Sequence, residues 1–248
     1  MRIDILSIFP EMLAGPLAAS LLGKAQADGL LEVVLTNIRD FTTDKHSSVD
    51  DSPYGGGAGM VMKCEPIFAA VESLRSQNSL KRVILMSPRG ARLTQQKVRE
   101  LAEAPDLVLL CARYEGMDER ISDSLVTEEI SIGDYVLSGG EVPALVLVEA
   151  ISRMVPGVIG DWESVETDSF FTGRLGPPQY TRPPVFREWA VPDVLREGNH
   201  AAIRRWRRKE ALRATLMRRP DLLVDLDPEE KKLLAEIEHE APISEREK

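Results

Sequence analysis

The sequence of 248 residues is poor in the side chains that hold small folds together. It has two cysteines, Cys64 and Cys111, and three histidines, His46, His200 and His239, all far apart. That scarcity excludes a disulfide framework and leaves no zinc-ligand spacing, so each cysteine reads as a small buried side chain among apolar neighbours. No apolar run reaches the roughly 18 residues of a membrane-crossing helix, which argues against a membrane partner. The opening MRIDILSIFPEML carries one basic residue and reads as a first strand rather than a secretory leader. Neither a phosphate-binding Gly-Lys-Ser/Thr loop nor a GxGxxG fingerprint is present, and there is no internal repeat or low-complexity tract. The expectation is a soluble, cytoplasmic protein of a reducing compartment.

What is present is enough apolar material, 43% of residues, for one large domain or one domain with an appendage. The net charge of −9 speaks against nucleic acid only in sum. Ile203 to Arg219 holds eight Lys/Arg residues and one acid, a net of +7, whereas Asp221 to Lys248 holds ten acids and four bases, a net of −6. The acidic total conceals a compact basic segment.

The first part alternates between strand-like and helix-like patterns. Strands are expected at Arg2–Ile8, Leu31–Asn37, Arg82–Ser87, Leu107–Ala112 and Glu128–Ser131, and helices near Met12–Ala27, Thr94–Ala102, Met117–Leu125 and Pro143–Met154. Such alternation predicts an α/β fold on a parallel sheet. Residues 162–176 lose periodicity and read as a flexible linker that orders on binding. Beyond them helices are expected at Pro192–Glu197, Asn199–Arg219 and Pro228–Glu240, with Asn199 and Asp227 as N-caps. The predicted organisation is residues 1–161 as an α/β domain, the linker, and residues 177–248 as a small helical domain.

Four stretches could carry chemistry. Three turn-like segments follow strands, at Leu85–Arg89, Ala112–Gly116 and the glycine-bearing Ser131–Pro143 (SIGDYVLSGGEVP), and ligands of open α/β sheets sit where such loops converge. DDSPYGGGAGM, Asp50–Met60, strips side chains from a loop that is either a surface hairpin or a wall for a flat ligand. In Thr167–Val185 an aspartate, Asp168, precedes two aromatics; it either caps a turn with Ser169 or is a base delivered by a closing loop. In NHAAIRRWRRKEALRATLMRR the cations Arg204, Arg205, Arg207, Arg208 and Lys209 surround Trp206. They make either an RNA-gripping helix or a solvated one whose arginines pair with the acidic tail.

Taken in order, IFPEM, DFTTDKHSSVDDSPYGGGAGM, ARYEGMDER, SIGDYVLSGGE, the DSF of Asp168–Phe170, YTRP and GNHAAIRRWR resemble the bacterial tRNA (guanine-N1)-methyltransferases of the trefoil-knot (SPOUT) class, over nearly the whole chain. The resemblance implies an α/β domain threaded into a deep knot and an obligate homodimer whose active sites cross the subunit interface. It implies methyl transfer from S-adenosylmethionine to N1 of the guanosine immediately 3′ of the anticodon, tRNA position 37, which protects the reading frame, with dependence on magnesium whose ligands stay unknown. By the same resemblance the cofactor loops are Leu85, Met86, Ser87 and Pro88; Ala112, Tyr114, Glu115 and Gly116; and Ser131, Ile132, Gly133, Asp134, Tyr135, Val136 and Leu137 with Gly139, Gly140 and Pro143. Asp168 is then the general base, Arg153 the cation beside guanine O6, and Glu115 an assistant near cofactor and metal.

Guanine N1 carries a proton and a delocalised lone pair, so it becomes nucleophilic only as that proton leaves and charge builds on N1 and O6. A carboxylate is a weak base for this task and needs a dry pocket with a cation at hand. Four positions depart from the family's pattern: Ala112 where glycine is usual, Ala58 in place of proline, Ser47 in place of a basic residue, and Gly176 where some relatives carry aspartate. Two other readings stay open on the residues: an RNA-binding protein without catalysis, and a knotted methyltransferase acting on ribosomal RNA or a ribose oxygen.

Overall fold

The computed structural model describes residues 1–77 and 82–240. It divides into two compact units, Met1–Gly160 and the residues from Asp161 onward. In chain order the strands are β1 (Arg2–Ser7), β2 (Glu32–Asn37), β3 (Asp50–Asp51), β4 (Val61–Met62), β5 (Val83–Arg92), β6 (Asp106–Cys111), β7 (Glu128–Ser131), β8 (Val185–Phe186) and β9 (Trp189–Ala190). The helices are α1 (Glu11–Leu17), α2 (Ser20–Ala27), α3 (Cys64–Gln77), α4 (Gln95–Ala102), α5 (Glu119–Ser124), α6 (Glu141–Ser152), α7 (Trp162–Glu166), α8 (His200–Arg218) and α9 (Pro228–His239).

In the first unit five strands form a wholly parallel sheet in the order β2-β1-β6-β5-β7. Its central strands are continuous apolar runs because both faces are covered. The two-residue period sends Ile3, Ile5, Ile84, Leu107, Leu109 and Cys111 into one core, with Leu13 and Leu17 of α1, Leu22 of α2, Val98 of α4 and Leu147 and Ile151 of α6. The alternate residues Leu6, Val83, Leu85, Val108 and Leu110 enter a second core with Ile67 and Val71 of α3 and Ile121 of α5. Each such leucine or isoleucine, withdrawn from water, contributes about 1.5–3 kcal/mol. Cys111 is fully buried, and that burial pushes its thiol well above the usual range, so it behaves as a small apolar side chain.

The strand edges fall within a residue or two of expectation, apart from β5. There the expected Arg82–Ser87 runs on to Arg92 through a register shift between Met86 and Ala91. The single helix expected over Met12–Ala27 is two. Pro16 lies in α1, and Ser20, at φ +51°, turns the chain before α2 continues. Within 162–176, read as a linker without periodicity, α7 forms on an Asp161 cap, and Trp162 packs edge-on against Phe171 with ring centroids 6.0 Å apart.

The second unit is centred on α8 and α9, whose Leu212, Leu233, Leu234 and Ile237 form a small core. Asn199 caps α8, and Asp227 begins α9 with a capping box closed by Glu230. The helix expected at Pro192–Glu197 is one 3₁₀ turn, Asp193–Leu195. Arg174 fixes the chain entering this unit. It donates to the carbonyls of Leu222 (2.6 Å) and Val224 (2.9 Å) and forks onto Glu230 at 3.2 Å. The Leu175 N–H donates to Thr215 Oγ1 on α8 at 3.0 Å. Of the acidic C-terminal stretch, 241–248 lies outside the described residues.

Candidate cofactor cavity and RNA face

The pairing of β5 with β6 ends at Met86, and the Ser87–Pro88 stretch beyond it meets the loops leaving β6 and β7 at the carboxyl edge of the sheet around a cavity of about 230 Å³. Its walls are Met86–Pro88, Ala112–Gly116, Ile130–Gly133, Tyr135–Gly140 and Pro143. In the sheet β6 and β7 are separated by β5, so the loop after β7 crosses the end of β5 to reach the loop after β6. Two contacts fix that crossing: the Gly140 N–H donates to the Ala112 carbonyl at 2.8 Å, and Arg113 and Gly139 form an antiparallel bridge. Only glycine fits at Gly140, where a Cβ would lie 2.7 Å from the Cys111 Cα and 3.0 Å from the Ala112 nitrogen, both backbone atoms. Here close approach, not a positive φ, demands the residue.

A buried network holds the crossing from beneath. Glu141, the first residue of α6, is 1% exposed. Its carboxylate accepts from Ser7 Oγ at the end of β1 (2.7 Å) and from Arg113 Nε (2.9 Å). The Arg113 guanidinium also lies over the Phe9 ring at 4.8 Å and reaches the Ser138 carbonyl at 3.4 Å. The pair ties the ends of β1 and β6 to the start of α6, and the carboxylate at the helix N-terminus suits the helix dipole.

Of the residues expected in the cofactor loops, Met86, Ser87, Pro88, Ala112, Tyr114, Glu115, Gly116, Ser131, Ile132, Gly133, Tyr135, Val136, Leu137, Gly139, Gly140 and Pro143 all line this cavity. Two do not. Leu85 faces the second core, because its neighbour Met86 takes the other face of the strand. Asp134 is turned outward and pairs with Arg92. Ile130 lines the cavity from outside the expected loops, and Arg113 and Ser138 line it from inside them without having been singled out. Arg113 was within reach, since it lies inside the quoted ARYEG stretch.

Among the lining residues Glu115 is the only acid and Arg113 the only base. Glycine walls, the apolar Ile132, Val136, Leu137 and Pro143, and one carboxylate fit a ligand with a flat ring and a cationic centre. The glycine-rich loop proves to be the turn of the β3–β4 hairpin, anchored to the same place. The Glu115 N–H donates to the Met60 carbonyl at 3.0 Å, and a Cβ at Gly59 would strike the Glu115 side chain at 2.5 Å. No group of three His, Cys, Asp or Glu side chains among the described residues is placed to hold a metal ion.

Arg153 caps the C-terminal end of α6 in the first unit and is half-buried. Asp168 belongs to the second unit, in the turn after α7. There it lines a cleft of about 560 Å³ with Glu163, Glu166, Arg174, Arg204, Arg207 and Arg208 among its walls.

The five cations expected to grip RNA fall into two sets. Arg205 pairs with Glu236 (2.6 Å), Lys209 with Glu236 (3.1 Å) and Glu240 (2.7 Å), and Arg208 with Asp227 and Glu229. All of these acids lie on α9 or at its two caps. Glu240, held by Lys209 and Arg213, is lowered to about 2, and Glu236 is lowered by Arg205 and Lys209. Arg204 and Arg207 have no carboxylate partner among the described residues. The pairing reading of the basic helix therefore holds for three residues, and an open cationic face remains at two.

A parallel α/β sheet whose carboxyl-end loops enclose a glycine-walled cavity is the architecture of a domain that binds a nucleotide-like cofactor. The comparisons make the class specific. The family model described as tRNA (Guanine-1)-methyltransferase TrmD matches residues 1–225. A protein of Dictyoglomus turgidum named tRNA (guanine-N(1)-)-methyltransferase is 56% identical over 242 residues, covering 97% of this chain and 98% of its own. Proteins of the same name from Brevibacillus brevis (54% over 242 residues, 97% and 99% covered) and Desulforamulus reducens (51% over 243, 96% of each) agree. The chain belongs to the tRNA (guanine-1)-methyltransferase family.

Proposed function

We propose that this protein transfers the methyl group of S-adenosylmethionine to N1 of the guanosine immediately 3′ of the tRNA anticodon, so guarding the reading frame. The observation that carries the reading is the cavity at the ends of β5, β6 and β7, built from the loops that the family resemblance assigns to the cofactor. S-adenosylmethionine supplies, when bound, a methyl group made electrophilic by its sulfonium. The backbone of Ile132–Leu137 and Gly139–Gly140 would hold adenine and ribose, and the Glu115 carboxylate favours a cationic ligand at the cavity mouth.

Asp168 accepts the N1 proton, and Arg153 stabilises the negative charge that then spreads to O6. Because proton removal and methyl transfer must coincide in one geometry, alignment of the base sets the rate. Residues Arg204 and Arg207 beside Asp168 meet the phosphates of the RNA that delivers it. The chain path is that of a trefoil knot; the crossing of the β7 loop over β5, locked by Gly140, supports it. We assign the working form to a homodimer. α6 is apolar almost throughout, yet Val142 and Val146 are 49% and 43% exposed, a face that a second copy would cover. The protein would act in the cytoplasm, where tRNA is; no helix among the described residues is long and apolar enough to cross a membrane.

The test is to incubate the protein with S-adenosylmethionine and an unmodified tRNA transcript, digest the RNA and locate the methyl by mass spectrometry. 1-Methylguanosine next to the anticodon is expected, with none on an adenosine-substituted transcript. A ribose 2′-O-methyl product, or product from ribosomal RNA alone, would overturn the reading in favour of another knotted methyltransferase.

A further inference from the structure

A second cleft of the Asp161–Lys248 unit, of about 960 Å³, lies between the extended segment Pro178–Pro184 and the first half of α8. Its volume is at the top of the roughly 300–1,000 Å³ range of ligand sites. Three arginines line it, Arg182, Arg196 and Arg207, and no carboxylate does. In a chain of net charge −9, where α9 neutralises the neighbouring Arg205, Arg208 and Lys209, an acid-free cleft is a sharp local exception. Arg196 has one exposed contact, to Asp193 at 3.3 Å, of the kind that contributes little and exchanges readily. The rest of the wall is apolar or aromatic. Tyr180 is half-exposed, and the Trp206 ring packs behind it at 6.2 Å and 54°. Val191, Leu195 and Ile203 complete the floor.

We propose that this cleft binds one unstacked nucleotide of the RNA substrate. Its base lies against Tyr180, and its flanking phosphates lie on Arg182 and Arg207. An aromatic face with no carboxylate nearby suits any base, and guanidinium forks suit phosphate oxygens. The neighbouring cleft contrasts with it, since Glu163, Glu166, Asp225, Asp227 and Glu230 there leave only Arg204 and Arg207 to meet a phosphate. Arg207 lines both. It therefore marks where the backbone passes from the nucleotide seated on Tyr180 to the one presented to Asp168. Trp206 is a positioning residue for Tyr180 and does not itself meet the RNA. The proposal rests on the reading of this protein as an enzyme acting on RNA.

The experiment measures binding of a fluorescein-labelled tRNA transcript by anisotropy across salt concentrations, alongside KM and kcat for the same transcript. Tyr180→Ala should weaken binding roughly 5- to 150-fold, the range for loss of one stacked base, while Tyr180→Phe stays near wild type. Arg182→Ala and Arg207→Ala should each reduce the salt slope by about 0.7, the value for one single-strand phosphate contact. Lys232→Ala, an exposed lysine on α9, is the charge-matched control and should change neither. A transcript carrying 4-thiouridine beside the target guanosine should crosslink to peptides within 178–207, a readout that needs no variant.

Equal effects of Arg207→Ala and Lys232→Ala, with Tyr180→Ala binding like wild type, would overturn the cleft and leave the enzyme reading intact. Crosslinks confined to other segments would also overturn it. Weaker binding by Tyr180→Ala than by a wild type that itself binds the transcript yet never methylates it would support the cleft and sink the activity.

Discussion

Glu141 is the residue on which the loop crossing hangs, and its removal should be costly in a way that the geometry fixes. The carboxylate is 1% exposed, and its partner Arg113 has a side chain 14% exposed. Glu141→Ala strands the guanidinium in a place from which water is largely excluded, and breaking one side of such a pair costs about 3–5 kcal/mol. Ser7 suffers less, because its Oγ still accepts from the Phe9 N–H at 2.8 Å. At roughly 2–4 °C per kcal/mol for a chain of this size, the melting temperature should fall by about 6–20 °C. Glu141→Gln keeps an oxygen for one partner but presents an amide N–H to the other, so it should fall between Glu141→Ala and wild type. Thermal unfolding followed by circular dichroism measures the drop, and calorimetric titration with S-adenosylmethionine should show weakened binding. The double variant with Arg113→Ala should cost clearly less than the sum of the singles. A Glu141→Ala protein melting within about 2 °C of wild type would refute the reasoning.

Three further outcomes are expected. Gly140→Ala forces a Cβ to 2.7 Å from backbone that has nowhere to move. It should cost about 1–3 kcal/mol in unfolding free energy and lower S-adenosylmethionine affinity, whereas Gly15→Ala, with open space around it, should do neither. Arg174→Ala leaves Glu230 without its buried partner and two carbonyls without their donor, and should destabilise the second unit by about 3–5 kcal/mol in denaturant unfolding. Acid should loosen α9 from α8. The carboxyls of Glu236 and Glu240 are depressed in the folded state, so their contribution is complete above the ordinary glutamate value of about 4.3. It is lost as pH falls toward the folded value, about 2 for Glu240. Helical circular dichroism and tryptophan fluorescence should be flat from neutral pH to about 5 and change below it; a transition centred above pH 5 would contradict the assignment.

The sheet was legible because its strands are buried on both faces and therefore written as unbroken apolar runs such as LVLLC. The break between α1 and α2 was hidden, since an apolar period continues through a point where Ser20 alone turns the backbone. Most of the cavity lining followed from the family's motifs. Leu85 did not belong there because the two-residue period of β5 turns it to the opposite core. The Arg113–Glu141 pair joins residues 28 apart on different elements, and no local pattern announces such a contact. The acidic tail, by contrast, was a signal in plain view: a segment of −6 following one of +7 is the composition of two helices that neutralise each other. Which arginines escape that pairing depends on the face of α8, and only the packing of α9 decides it.

The central claim is that Asp168 takes the N1 proton while the cavity at the ends of β5, β6 and β7 holds the methyl donor. Single-turnover transfer of labelled methyl to a guanosine transcript, comparing wild type with Asp168→Ala and Asp168→Asn, tests it most directly when paired with calorimetric binding of S-adenosylmethionine. Both variants should bind the donor as wild type does and transfer at least about 100-fold more slowly, the lower range for loss of a general base. Transfer at the wild-type rate in Asp168→Ala would contradict the claim.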